Sequence, residues 1–162
     1  MVTVRRLNHA VLFVSDLDRS VRFYTDVLGF GVVARAGPMA FLRARGSDNH
    51  HDLGLFGLGP QATRPPQRTV GLYHLAWQVA TIEDLAAARR ELREVGTYVG
   101  ESDHGATKSI YGADPDGNEF EVMWMVPREE WGAYEGRAPV TPLDLEAELD
   151  RFGQRAAGRR SK

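Results

Sequence analysis

The chain reads as an α+β protein made of two tandem βαβββ modules with a C-terminal helical tail. Three observations predict this. Strand-like alternation and helix-like stripes recur twice in the same order, β-α-β-β-β. Leu7-Asn8-His9-Ala10 lies over Leu72-Tyr73-His74-Leu75, a shift of 65 positions. A polar, Pro-rich stretch, GPQATRPPQR, separates the two copies, and Pro65-Pro66 would hold it extended. The expected layout is residues 1–58 for the first module, 59–69 for the linker, 70–126 for the second module and 127–162 for the tail, together forming a single domain.

Val2 to Val14 alternates as a strand, with His9, Val11 and Phe13 on one face. Asp16 or Asp18 caps a helix through Arg19 to Leu28, whose apolar stripe is Leu17, Val21, Tyr24, Val27 and Leu28, and Gly29 ends it. Phe30 to Arg35 and Met39 to Arg45 form a hairpin around Gly37-Pro38, and His50 to Leu58 is a fourth strand.

The second copy starts with a strand over Gly71 to Val79 that carries His74. A helix follows over Ile82 to Val95, with Leu85, Ala88, Leu92 and Val95 as its stripe and Gly96 as its stop. Strands are expected over Thr97 to Gly100, Ala106 to Ala113 and Glu119 to Val126. Asp114-Pro115-Asp116-Gly117-Asn118 is strong turn chemistry before the last strand. In that strand Phe120, Val122 and Trp124 share one face, and Glu119, Glu121 and Met123 the other. In the tail, Pro127 to Tyr134 suggests a short helix, and Leu143 to Phe152 a second with Thr141 as cap and Pro142 at its first position. From Gly153 the small, basic end is expected to fray.

Composition excludes several classes. A formal net charge of −2 gives no basis for broad binding to nucleic acid or an anionic membrane. No apolar run approaches the roughly 20 residues of a membrane span. With no cysteine, neither a disulfide framework nor a thiolate zinc site is possible. A cytoplasmic protein is the expectation.

His9 and His74 occupy matched positions on the first strand of each module, and Glu121 sits on the closing strand. Duplicated modules commonly pair about a pseudo-twofold axis, which would let these strand faces converge on one cleft. Two imidazoles and a carboxylate match the ligand set of non-haem Fe(II) oxygenases, and Mn(II), Ni(II) or Zn(II) would also accept them. Each residue alone is ordinary, since a lone strand His is usually a hydrogen-bonded core or rim residue. The repeat is what singles them out.

LNHAVLFVSDLDRSVRFYTDVLGF, YHLAWQV and YGADPDGNEFEVMW resemble the vicinal oxygen chelate superfamily, which includes glyoxalase I, bleomycin-resistance proteins and type I extradiol dioxygenases. The resemblance covers about residues 5–126 and implies paired modules forming an open, strongly curved mixed sheet around a divalent metal, with His9, His74 and Glu121 as ligands. Glyoxalase I places a fourth, glutamate ligand on the last strand of module one, and Asn49 to Leu55 holds none. His51-Asp52-Leu53-Gly54-Leu55 instead resembles the extradiol enzymes, which implies that His51 is a catalytic acid–base.

The same resemblance implies that Tyr111, ten residues before Glu121, hydrogen-bonds the substrate oxygen. It further implies a catalytic role for His104, in His104-Gly105-Ala106-Thr107, although its gap to the Tyr is about two residues short of the pattern. Val11, Phe13, Met123 and Met125 would wall an aromatic ring.

The expected function is an extradiol ring-cleaving dioxygenase using Fe(II) and O2 on a small catechol-type aromatic. A glyoxalase- or isomerase-type lyase with Ni, Zn or Mn, and a metal-free bleomycin-resistance-type binding module, stay open as alternatives. Exposed sheet edges lead to an expected homodimer.

Overall fold

The computed structural model describes residues 1–66 and 68–158. The chain divides into two compact units, Met1–Val70 and Gly71 onward.

In the first unit, β1 (Ala10–Val14), α1 (Leu17–Asp26), β2 (Gly31–Ala36), β3 (Met39–Arg43) and β4 (Leu53–Gly57) follow in order. The Asp16 side chain accepts from the Arg19 N–H, satisfying one free donor at the start of α1. Ser20, Val21, Phe23 and Tyr24 form the buried side of that helix. The sheet order is β1-β4-β3-β2, with β1 and β4 parallel and the other pairs antiparallel. Ala40, Leu42, Leu53 and Leu55 are fully buried and, with Val14 and Tyr24, make the core.

In the second unit, β5 (Leu75–Val79), α2 (Ile82–Glu94), β6 (Tyr98–Asp103), β7 (Thr107–Ala113) and β8 (Glu119–Met125) repeat the pattern. Their order is β5-β8-β7-β6, again with the first and last strands parallel. Thr81 and Asp84 form a reciprocal capping box on α2. Asp114 organises the turn before β8, accepting from the N–H groups of Asp116 and Asn118 at 2.9 and 2.8 Å. Gly117 takes φ +73°, a conformation that favours glycine. Phe120, Val122 and Trp124 are buried, and Phe152 lies against Trp124 with ring centroids 5.0 Å apart.

The fold is α+β, with two open four-stranded mixed sheets and a C-terminal helix, α3 (Leu145–Gly158). Several expected boundaries shift. β1 and β5 start later than Val2 and Gly71, because their ladders begin only where β4 and β8 offer partners, at Ala10↔Leu53 and Leu75↔Phe120. β4 starts at Leu53 rather than His50, since the preceding residues are tied into a loop by Asp52. β6 runs on to Asp103 instead of Gly100, paired along β7 through a bulge.

The tail also departs from expectation. Residues 128–130 and 132–136 form 3-10 turns. The cap of α3 is Asp144, which accepts from the Ala147 N–H, because Thr141 is engaged in a bridge with Asp103. The helix continues past Gly153 to Gly158, and the expected fraying of residues 159–162 lies outside the described residues. Among the described residues no helix is long and apolar enough to cross a membrane.

Candidate functional site

In the first unit, His9 directly precedes β1, and the ring of His51 lies 4.5 Å from it between centroids. His9 donates from Nδ1 to Asn8 Oδ1 at 2.9 Å, which leaves Nε2 with its lone pair, the form a metal ligand takes. The His51 ring also meets Phe41 edge-on at 5.1 Å, and its Nδ1 lies 3.1 Å from His50 Nδ1. Burial, then the neighbouring His9 and His50, hold the His51 imidazole below its usual pKa, so it is neutral at neutral pH.

These two imidazoles are placed by polar residues that sequence reasoning missed. Asn49 accepts from Arg6 and Asn8 and donates to the Asn8 carbonyl and the Asp52 carboxylate, joining the approach to His9 to the loop that carries His51. Asp52 further accepts from the Ala44 N–H at 2.8 Å and the Ser47 hydroxyl at 2.7 Å. Burial pushes the Asp52 carboxyl up, but these hydrogen bonds outweigh it and leave the group below its usual pKa.

In the second unit, His74 directly precedes β5, so both imidazoles stand just before the first strand of their unit. His74 Nε2 lies 3.1 Å from Glu121 Oε2, and its Nδ1, 3.8 Å from Glu119 Oε1, is buried without a hydrogen bond. Glu121 also accepts from the Ser109 hydroxyl. Tyr111 pairs across the β7–β8 ladder with Glu121, and its ring lies 5.7 Å from that of His74. The Tyr111 hydroxyl is 2.8 Å from His104 Nε2, and burial together with the Glu121 carboxylate pushes the phenol up, keeping it protonated. Met123, on the Glu121 face, is buried, while Val11 and Phe13 are 45% and 66% exposed.

The structure thus brings His9 to His51 in one unit, and His74, Glu121, Tyr111 and His104 together in the other. Ser109 was legible as the residue two before Tyr111 on a strand, where side chains share a face. Among the described residues neither unit by itself gathers three His, Asp or Glu side chains in an arrangement able to hold a metal ion. The donors nonetheless suit a divalent cation. In the second unit a half-buried carboxylate faces an imidazole and a hydroxyl, and in the first the His9 Nε2 keeps its lone pair.

The duplicated topology gives the two units equivalent strand positions. In β8, Glu121 pairs with Ala76 and Tyr111; in β4 the residue pairing with Val11 and Phe41 is Gly54. Gly54 therefore holds the place of Glu121 in the first unit, and no carboxylate stands there.

A sequence model described as the glyoxalase/bleomycin resistance protein/dioxygenase superfamily matches residues 6–122. Catechol-2,3-dioxygenase of Bacillus subtilis is 34% identical over 91% of the chain and 52% of that protein. Biphenyl-2,3-diol 1,2-dioxygenase 3 of Rhodococcus globerulus is 38% identical over 76% of the chain and 65% of that protein. The chain thus spans about half to two thirds of the length of these relatives. Among solved structures, a glyoxalase/dioxygenase from Nostoc punctiforme superposes with a TM-score of 0.64 at 23% identity, covering 76% of this chain and 92% of that one.

Proposed function

This chain belongs to the glyoxalase/bleomycin resistance protein/dioxygenase superfamily, and from that premise we propose that it is a metal-dependent extradiol dioxygenase opening the ring of a small catechol-type aromatic with O2. The observation that carries the reading is the contrast at Gly54. The repeat puts a glycine where a fourth, carboxylate ligand would stand, and a neutral imidazole, His51, lies beside His9 instead. The two relatives named as diol dioxygenases support the same reading.

The proposed ligands are His9, His74 and Glu121. A divalent ion on them, Fe(II) in this proposal or Mn(II), Ni(II) or Zn(II), would supply Lewis acidity toward two vicinal oxygens and, with iron, the redox chemistry of O2. The chain's own residues handle the protons. His51 faces His50 through Nδ1, and in the tautomer that donates its Nδ1–H to His50, its Nε2 takes a proton from a substrate hydroxyl. Tyr111 and His104 form a hydrogen-bonded pair next to Glu121 that orients a substrate oxygen. Val11, Phe13 and Met123 provide apolar surface for the ring.

The test is to load the purified protein with Fe(II) anaerobically, then add a panel of catechols in air and follow O2 uptake and yellow ring-opened products. No uptake across the panel refutes the proposal. His51→Ala should retain metal and lose turnover by about 10²-fold or more. A loss of metal in that variant would make His51 a ligand and favour the lyase chemistry of the superfamily.

A further inference from the structure

The stretch between β8 and α3 concentrates its contacts on the loop that carries His104. Asp103 and Thr141 exchange two backbone hydrogen bonds, at 2.8 and 3.0 Å. The Tyr134 ring lies over Gly105, which has φ +77°, so closely that a Cβ there would sit 2.4 Å from the ring. Trp131 Nε1 donates to the Val126 carbonyl at 2.7 Å, securing the start of the stretch. The carbonyl of Pro139 lies 2.9 Å from His104 Nδ1, on the far side of the ring from Tyr111.

A carbonyl oxygen only accepts, so His104 Nδ1 must carry a hydrogen. The alternative neutral form would set two lone pairs against each other at 2.9 Å. In the neutral ring Nε2 then bears the lone pair, and the Tyr111 hydroxyl donates to it at 2.8 Å. Of the other groups beside the phenol oxygen, the Ser102 hydroxyl is able to donate to it, while Ser109 gives its single proton to Glu121.

We propose that residues 127–141 act as a positioning strap. Through the Pro139 carbonyl the strap holds His104 as its Nδ1–H tautomer, commits the Tyr111 proton to His104 and leaves the phenol oxygen a hydrogen-bond acceptor. A diol hydroxyl reaching Tyr111 therefore donates to it. That last consequence rests on the proposed dioxygenase function; the tautomer assignment does not.

The experiment is nitrogen-15 NMR of the histidine side chains in the intact, metal-free protein at neutral pH, with His104→Gln identifying the His104 signals. The expected result is a protonated Nδ1 and an unprotonated Nε2 in the parent protein. In Tyr134→Ala and Thr141→Pro, which loosen the strap at different points, the two tautomers should mix. If the parent protein shows Nε2–H or a doubly protonated ring, the proposal is overturned. It is equally overturned if both variants free the Trp131 fluorescence yet leave the tautomer unchanged. With active protein, the two variants should lower turnover about tenfold or more while KM changes little. If the tautomer is as stated but no catechol is cleaved, the strap stands and the dioxygenase reading fails; the converse result separates them the other way.

Discussion

Asp52→Ala tests the network that places His51. The Asp52 carboxylate is partly buried and receives three donors, the Ala44 N–H at 2.8 Å, the Ser47 hydroxyl at 2.7 Å and Asn49 Nδ2 at 2.7 Å. A hydrogen bond to a charged group contributes about 1.5–3 kcal/mol. The three do not add, because Ser47 and Asn49 can turn toward water once the acceptor is gone. A loss of about 3 kcal/mol is expected, a melting-point drop of roughly 6–12 °C for a chain of this size.

The sign of the pH dependence follows from the depressed carboxyl. Its stabilisation is present above the usual carboxylate pKa and is lost as pH falls through the lowered folded value. The gap between the parent protein and Asp52→Asn should therefore be widest near neutrality and close in acid. Urea unfolding of the metal-free proteins at a series of pH values measures it. A cost under about 0.5 kcal/mol, or a gap that widens in acid, would refute the assignment of Asp52 as the anchor of this loop.

Ser109→Ala removes the hydroxyl that Glu121 accepts from and should weaken metal binding about 10- to 100-fold, read by titration with Mn(II) or Fe(II). Phe152→Ala deletes a buried ring against Trp124 and should cost about 3–5 kcal/mol, with loss of α3 helicity preceding the main unfolding transition in circular dichroism.

Much of this arrangement was legible in local chemistry. Asp16, Thr81 and the Asp114–Asn118 turn carry their own short-range hydrogen bonds, so their roles could be read from residue type and spacing alone. Glu121 was conspicuous as an acid among apolar neighbours, and Tyr111 pairs with it across the β7–β8 ladder. The strand starts were less legible, since Val2, Val4 and Leu7 are strand-prone or apolar yet remain exposed for want of a partner strand. Thr141 looked like a cap in isolation, but a strand bridge to Asp103 claims its backbone and hands that role to Asp144.

By itself, then, the sequence determined the repeated βαβββ order, the turn that closes it, and the imidazoles and carboxylate suited to a metal. These depend on periodicity and residue chemistry, which are local. Only the tertiary structure decided that Gly54 takes the place of Glu121, because strand register is a property of pairing between distant segments. It also decided that Asn49 ties His9 and His51 together and that a backbone carbonyl at Pro139 faces His104. A carbonyl is common to every residue, so its effect on a side chain depends on where the fold carries it.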